Sequence, residues 1–213
     1  MEQSYWQARW RKNKIGFHGA EPDAALVAHW PALGVPEGAC VAVPLCGKSV
    51  DMCWLRAQGH TVYGIEFVEQ ACAAFFREQF PGAEPGVRSE GGTQLFTLDG
   101  LMLQTADLLR LRAGQVPAQA QVRAVYDRAA LVALPPQMRQ AYAAKWAELF
   151  PGAEQALLIS FEYDQQLMGG PPFAVYEPEL QELFGGRFRL QELSRTDMVP
   201  VSEIIRKSGF RRC

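Results

Sequence analysis

Two short strand-forming runs, separated by a helical segment, constrain the fold of this chain more than any other feature. The first run, residues 40–45, has no polar interruption, as expected for a strand covered on both faces of its sheet. A helix is predicted to begin at Ser49, as its N-cap, and to end at Gln58, before a second strand at Thr61–Glu66. Strands joined by a crossover helix favour an α/β fold with a parallel sheet.

The same alternation continues along the chain. Helices are predicted at 68–79 and after Pro135-Pro136. Asp99-Gly100 separates apolar runs at 95–98 and 101–104, which predicts a hairpin with a two-residue type I′ turn. Further strands are predicted at 122–126, 157–163, 188–193 and 201–206. The whole pattern indicates about seven strands in a mostly parallel, Rossmann-like sheet with helices on both faces.

The first 36 residues lie outside this alternation. We expect them to form a helical cover over a core of residues 37–213, within one domain. Ser4 is predicted as the N-cap of a first helix, with Gln7 completing a capping box. Trp6 and Trp10 then share one face of that helix. On the pattern alone, burial for core packing is favoured over a binding role for this pair.

Composition and charge exclude several classes of protein. The chain has 213 residues, a hydrophobic fraction of 48% and a formal net charge of -2, so general affinity for nucleic acid is not expected. No apolar run approaches the ~20 residues that a membrane span needs. The N-terminal sequence lacks the pattern of a secretory signal, and we expect a cytoplasmic protein.

The cysteines and histidines predict neither disulfides nor a metal site. The five cysteines are odd in number, and a chain of this size can bury its own core, so reduced thiols are expected. No C-x-x-C pair occurs, and His18, His29 and His60 are not spaced as pairs of ligands.

The loop after the first strand has two interpretations. Gly47-Lys48-Ser49 resembles the end of a P-loop, but position 42, where that motif requires glycine, is alanine. The alternative is a nucleoside cofactor across the ends of the first two strands. Glu66 follows Gly47 by 19 positions, the spacing of an acidic ribose ligand, although it can instead cap the next helix. No complete G-x-G-x-x-G is present, which favours a cofactor with a ribose but no phosphates, such as S-adenosylmethionine.

Several blocks of sequence then point to one family. They are Trp6-x-x-x-Trp10, Ile15-Gly16-Phe17-His18, Val43-Pro44-Leu45-Cys46-Gly47-Lys48-Ser49-x-Asp51-Met52-x-Trp54-Leu55, Gly59-His60-x-Val62-x-Gly64-x-Glu66, Tyr126-Asp127-Arg128-Ala129-Ala130-Leu131-x-Ala133-Leu134-Pro135 and Gly170-Pro171-Pro172-Phe173. In this order they resemble the thiopurine S-methyltransferase family. The resemblance implies an S-adenosylmethionine-dependent methyltransferase fold, with a seven-stranded sheet whose last strand runs antiparallel.

The resemblance also implies a reaction. It implies methyl transfer to the sulfur of small aromatic and heterocyclic thiols such as 6-mercaptopurine, and we expect a monomer. Some bacterial members are similar enzymes linked to methylation of selenium or tellurium oxyanions, which leaves a second acceptor class open. Because similarity fades after Phe173, a cofactor-binding module without thiol methylation is a third hypothesis.

Site residues follow from the resemblance position by position. The implied cofactor contacts are Trp6, Trp10, Leu45, Glu66, Thr105, Ala106 and Arg128, and Phe17 matches a position shared by cofactor and acceptor. Aromatic rings can stabilise a sulfonium cation, and a guanidinium can bind a carboxylate, unless Arg128 is paired with Asp127 or Asp51. Since aromatic thiols ionise readily, we predict no essential general acid or base and no covalent role for Cys46.

Overall fold

The computed structural model describes residues 3–16, 18–90, 92–197 and 211–212. The helices are α1 (Gln3–Arg11), α2 (Ala24–His29), α3 (Asp51–Ala57), α4 (Glu69–Gln79), α5 (Pro136–Leu149) and α6 (Glu177–Phe184). The strands are β1 (Cys40–Pro44), β2 (Thr61–Glu66), β3 (Gly86–Glu90), β4 (Thr93–Leu98), β5 (Leu101–Thr105), β6 (Val122–Arg128), β7 (Gln155–Ile159), β8 (Phe161–Glu162), β9 (Thr196–Asp197) and β10 (Arg211–Arg212). Short 3-10 helices occupy Trp30–Leu33, Ala113–Gln115, Leu131–Ala133 and Gln165–Leu167.

A seven-stranded sheet in the order β3-β4-β5-β2-β1-β6-β7 forms the centre of the fold. β1 pairs in parallel with β2 and β6, and β5 and β7 extend the parallel part on either side. The mostly parallel α/β prediction is therefore confirmed. The last strand, which the resemblance implies to be antiparallel, is the one predicted at 201–206, outside the described residues. Among the described strands of this sheet, β4 is the antiparallel member.

Helices cover both faces of the sheet, as predicted. Side chains alternate along β1, since successive residues of a strand point to opposite faces. Val41 and Val43 pack with buried side chains of α3 and α4, whereas Cys40 and Ala42 pack with those of α5 and α6. All four are buried, which explains why the first strand has no polar position.

The hairpin predicted at Asp99-Gly100 is confirmed. Its two central residues have φ values of 46° and 82°, and it joins β4 to β5 with Leu98 opposite Leu101. Positive φ at both positions defines the type I′ turn, whose twist matches that of the flanking strands.

Two predicted helix caps are wrong. Ser4 lies inside α1, which already begins at Gln3, so its hydroxyl is not at the N-cap position. α3 begins at Asp51 and is preceded by Val50, not by Ser49. An additional turn, in which the Met52 amide donates to the Ser49 carbonyl over 3.3 Å, separates the loop from the helix.

The strand predicted at 188–193 does not form. The chain instead turns after α6, where the amide of Phe188 donates to the carbonyl of Phe184 over 2.8 Å. The ring of Phe188 packs edge-on against Trp146 of α5, with centroids 6.5 Å apart. The apolar pattern there reflects packing on a helix rather than pairing in a sheet. The strand predicted at 201–206 lies outside the described residues.

The strand predicted at 157–163 divides in two. β7 ends at Ile159, and β8 begins at Phe161 in a second, three-stranded antiparallel sheet of order β8-β10-β9. Within that sheet, Arg211 lies opposite both Glu162 and Asp197. β10 is thereby paired with β8, the strand that directly follows the main sheet.

Candidate functional site

A cavity of about 510 Å³ opens where the parallel strands end. Residues at the carboxyl ends of β1, β2, β6 and β7 line it, together with α1 and two later loops. This is the edge at which open α/β sheets bind their ligands. Its volume lies in the ~300–1,000 Å³ range of small-molecule sites.

Glu66, the last residue of β2, presents its carboxylate to this cavity. The Gly47 amide donates to Oε2 over 3.0 Å and the Val68 amide donates to Oε1 over 2.8 Å. The capping role that the sequence left open is thus present, since Val68 directly precedes α4. A carboxylate can accept about four hydrogen bonds, so that of Glu66 retains capacity for a further donor.

Burial changes the acidity of this group. Glu66 is only 5% exposed, and the loss of hydration raises the pKa of its carboxyl to about 7, although the backbone amides of Val68, Gly47 and Phe67 favour the ionised form. A ligand that donates hydrogen bonds to the carboxylate would stabilise the ionised form further.

The loop between β1 and α3 adopts an unusual backbone. Leu45 and Gly47 have φ values of 49° and 55°, in the left-handed region. A Cβ atom on Gly47 would lie 2.3 Å from Nε2 of His18, so glycine is required for close approach as well as for φ. The adjoining Lys48 amide donates to that Nε2 atom over 3.0 Å.

His18 links the N-terminal part of the chain to this loop in its neutral form. Burial is the main reason that the pKa of His18 is lowered to about 4, with Lys48 and Arg128 adding to the effect. The Trp10 ring packs at an angle against the imidazole, with centroids 5.2 Å apart. Trp6 and Trp10 both line the cavity, which favours the binding interpretation of the tryptophan pair over simple core packing.

Arg128, at the end of β6, also lines the cavity and is held by carboxylates from two other elements. Its Nε atom lies 3.2 Å from Oδ2 of Asp23 and 3.9 Å from Oδ2 of Asp51. Of the two partners considered from sequence, Asp51 is therefore close. Asp127 is occupied elsewhere, since it accepts from Tyr142 Oη over 2.7 Å.

The remaining predicted positions lie apart from the main cavity. Thr105 is opposite Glu66 in the sheet, and the Ala106 amide donates to the Glu66 carbonyl over 2.9 Å, but neither lines the cavity. The next residue, Asp107, lines a smaller adjoining cavity of about 50 Å³ together with Leu45 and Phe67. Phe17 lies outside the described residues.

Sequence reasoning missed several lining residues. The apolar wall is formed by Val132, Ala133, Ile159, Phe161, Met168, Pro171 and Pro172. The Gly-Pro-Pro-Phe block had drawn attention to Pro171 and Pro172 but did not predict that they line the cavity. Asp23 is the N-cap of α2, accepting from the Ala25 amide over 2.9 Å, and that cap pattern was a usable signal.

Two competing chemistries receive no support from the site. Nζ of Lys48 is 2.6 Å from Glu78 and does not line the cavity, which disfavours the P-loop interpretation. Burial raises the pKa of the Cys46 thiol well above its ordinary value, so this side chain is a neutral thiol rather than a nucleophilic thiolate.

Among the described residues, no three His, Cys, Asp or Glu side chains are grouped so that they could hold a metal ion. Within the same ranges, no helix has the length and apolar character needed to cross a membrane.

Comparison with known sequences gives one family over the whole chain. The model of the thiopurine S-methyltransferase family matches residues 1–213. A thiopurine S-methyltransferase from Azotobacter vinelandii is 42% identical over 199 residues, which cover 93% of this chain and 89% of that protein. One from Pseudomonas fluorescens is 40% identical over 212 residues, covering 100% and 95%.

Comparison with solved structures agrees on the fold. Magnesium protoporphyrin IX methyltransferase from Synechocystis, with bound S-adenosylhomocysteine, superposes with a TM-score of 0.60 at 17% identity, covering 98% of this chain and 93% of that one. The 1,6-didemethyltoxoflavin-N1-methyltransferase of Burkholderia thailandensis gives 0.59 at 17% identity, covering 98% and 83%. At these identities the likeness concerns the fold alone.

Proposed function

The chain belongs to the thiopurine S-methyltransferase family, and from this premise we propose that it methylates the sulfur of small aromatic and heterocyclic thiols. The chain is an S-adenosylmethionine-dependent methyltransferase. One observation carries the proposal furthest: the buried carboxylate of Glu66 faces a cavity that also has an apolar wall. This combination suits a ribose-bearing cofactor beside an aromatic acceptor.

The cofactor fits the residues at the strand ends. Beyond the backbone hydrogen bonds that it accepts, the carboxylate of Glu66 has capacity for a further donor, such as a hydroxyl of a ribose. The purine would lie at the side of the main cavity that Leu45 and Phe67 form, and Thr105 and Ala106 are proposed to flank it on the strength of the family motif alone. Arg128 would bind the methionine carboxylate.

Aromatic residues of α1 would bind the charged end of the cofactor. Trp10 lines the cavity close to Gly47, and its ring face would stabilise a sulfonium by ~0.5–2 kcal/mol. Trp6 would close the same side of the cavity. Phe17, which precedes His18, is proposed to contact both cofactor and acceptor on the strength of the family motif alone.

The acceptor would lie against the apolar wall. Phe161, Met168 and Pro171 are among the residues there, and they offer surface to a flat ring but few polar partners. When bound, S-adenosylmethionine supplies an already activated methyl group. The protein's part is to align the acceptor sulfur with it and to exclude water. For that reason no residue is assigned as an essential acid or base.

Selenium and tellurium oxyanions are the competing acceptors, and a panel separates the classes. Purified protein is incubated with S-adenosylmethionine and, in turn, 6-mercaptopurine, thiophenol, selenite and tellurite, and both S-adenosylhomocysteine and the methylated product are quantified. The proposal predicts an S-methyl thioether from the thiols, formed one for one with S-adenosylhomocysteine. Turnover confined to the oxyanions, or cofactor binding without any methylated product, would overturn it.

The setting of the enzyme is also proposed. Cys40, Cys46, Cys53 and Cys72 are free thiols, which fits the reducing cytoplasm. We propose one methyltransferase domain of residues 1–213 that acts as a monomer, with no nucleic-acid or membrane partner. Analytical ultracentrifugation tests the monomer: a concentration-dependent rise above the mass of one 23.7 kDa chain would contradict it.

A further inference from the structure

Arg9 of α1 is a second guanidinium in the wall of the cavity. Its side chain rests on two aromatic rings of the same helix, 5.7 Å from the centroid of Tyr5 and 6.0 Å from that of Trp6. Nη1 donates to the Tyr5 hydroxyl over 3.3 Å. Nε is buried and has no hydrogen-bond partner among the described residues.

The charged side chains that line the cavity differ in whether they have a partner of opposite charge or a hydrogen-bond donor. Arg128 is paired with Asp23, and both oxygens of Glu66 accept backbone amides. In the part of the chain that the structure describes, Arg9 has no carboxylate within ion-pair distance. An anion that entered the cavity would therefore meet a guanidinium whose charge no acidic side chain among the described residues pairs with.

We propose that Arg9 binds a carboxylate on the acceptor, so that the enzyme prefers aromatic thiols carrying an anionic substituent to neutral thiols of the same shape. The inference rests on the proposed function and specifies its substrate class. A guanidinium offers parallel N–H donors that match a carboxylate, and the Tyr5 and Trp6 rings hold its plane in a fixed orientation. The apolar wall would strengthen the ion pair by excluding water.

The test compares matched acceptors. The 2-, 3- and 4-mercaptobenzoates are each paired with the corresponding mercaptobenzamide, and kcat/KM is measured for wild type and Arg9→Gln. For each isomer, kcat/KM of the benzoate is divided by that of the benzamide. Comparing this quotient between wild type and Arg9→Gln cancels differences in thiol reactivity. For at least one isomer, we expect Arg9→Gln to lower kcat/KM of the benzoate roughly 10- to 100-fold, as for a lost charged hydrogen bond, and that of the amide no more than about twofold.

Two further variants sharpen the test. Arg9→Lys keeps the charge and should restore part of the preference, whereas Arg11→Gln removes an exposed charge from the same helix and should leave it intact. Equal losses on benzoate and amide would overturn the proposal in favour of a structural role. If Arg9→Gln raised only the KM for S-adenosylmethionine, Arg9 would bind the carboxylate of the cofactor instead of one on the acceptor, and the proposal would be overturned. If wild type methylates no thiol at all, the proposed function fails instead, which is a distinguishable result.

Discussion

The backbone amide of Gly47 donates a hydrogen bond to Oε2 of Glu66 over 3.0 Å, and this contact joins the loop after β1 to the end of β2. With the Val68 amide on the other oxygen, it fixes the orientation of the carboxylate without any ligand. Recognition of a ribose, as proposed above, would then require little rearrangement. A preoriented group of this kind retains more of its interaction energy for binding.

Affinity for S-adenosylhomocysteine should depend on pH through Glu66. Its pKa is raised to about 7 by burial, and the ribose hydroxyls need the ionised carboxylate as acceptor. The protonated form prevails below pH 7, so affinity should rise with pH and level off above it. Titration calorimetry should show roughly tenfold tighter binding at pH 8 than at pH 6. Glu66→Gln should flatten this profile; a variant profile as steep as that of wild type would assign the dependence to another group.

Gly47→Ala should cost more stability than its backbone strain alone. A Cβ atom would overlap Nε2 of His18 at 2.3 Å, in addition to the positive φ of 55°. Gly38→Ala is the matched control, since Gly38 has φ of 75° and no atom within 4 Å of the added carbon. Urea unfolding should show a loss of ~1–2 kcal/mol for Gly38→Ala. The loss for Gly47→Ala should be larger by ~1–3 kcal/mol. Equal losses would mean that His18 moves aside at no cost.

Asp23→Asn should weaken both the fold and the cofactor site. The asparagine oxygen can still cap α2 at the Ala25 amide, but the negative charge 3.2 Å from Arg128 is lost. We expect the free energy of unfolding to fall by ~1–3 kcal/mol, because Asp23 is buried. Affinity for S-adenosylhomocysteine should fall as well, since Arg128 loses its orientation.

The control for Asp23 is Asp164→Asn. Asp164 is exposed and caps the 3-10 helix at the Gln166 amide over 3.0 Å, so it tests the change from carboxylate to amide at a cap. The free energy of unfolding of the Asp164→Asn variant should stay within ~0.5 kcal/mol of that of wild type. If Asp23→Asn is equally mild, the Asp23–Arg128 pair does not hold the site together.

Arg187→Met should lower the free energy of unfolding by weakening the structure around the end of α5, without changing catalysis. The guanidinium donates to the carbonyls of Trp146, Phe150 and Ala153, which lie at or beyond the end of α5. Methionine keeps the apolar stem but leaves these acceptors without the donor, so we expect a loss of ~2–4 kcal/mol in urea unfolding. Arg189→Met, at an exposed position, should change little. A comparable loss in both variants would contradict the role of the three bonds.

Local sequence signals were sufficient where the structure is decided locally. Asp99-Gly100 specified its turn, because few residue pairs accept positive φ twice in succession. The interval between Gly47 and Glu66 predicted that both lie at the carboxyl ends of the first two strands, and the structure places them in contact there. Both features could be predicted because they depend only on residues close in sequence and on a regular strand-helix-strand connection.

The features that sequence reasoning missed depend on distant contacts. Asp23 and Arg128 are 105 positions apart, and no local pattern connects them. β3 was not predicted because it is an edge strand with exposed residues, such as Arg88 and Ser89, and lacks an apolar alternation. Phe188 carries an apolar signal, but whether such a residue pairs in a sheet or packs on a helix is decided by tertiary structure.

The most direct test of the account is calorimetric titration of S-adenosylhomocysteine into wild type, Glu66→Gln and Glu69→Gln at pH 8. Glu69 is an exposed carboxylate in the first turn of α4 and serves as the control. We predict one site per chain, roughly 10- to 100-fold weaker binding for Glu66→Gln, and unchanged binding for Glu69→Gln. Circular dichroism of each variant checks the fold. Wild-type affinity in a folded Glu66→Gln variant would contradict the assignment of Glu66 as the ribose ligand, and with it the cofactor site described above.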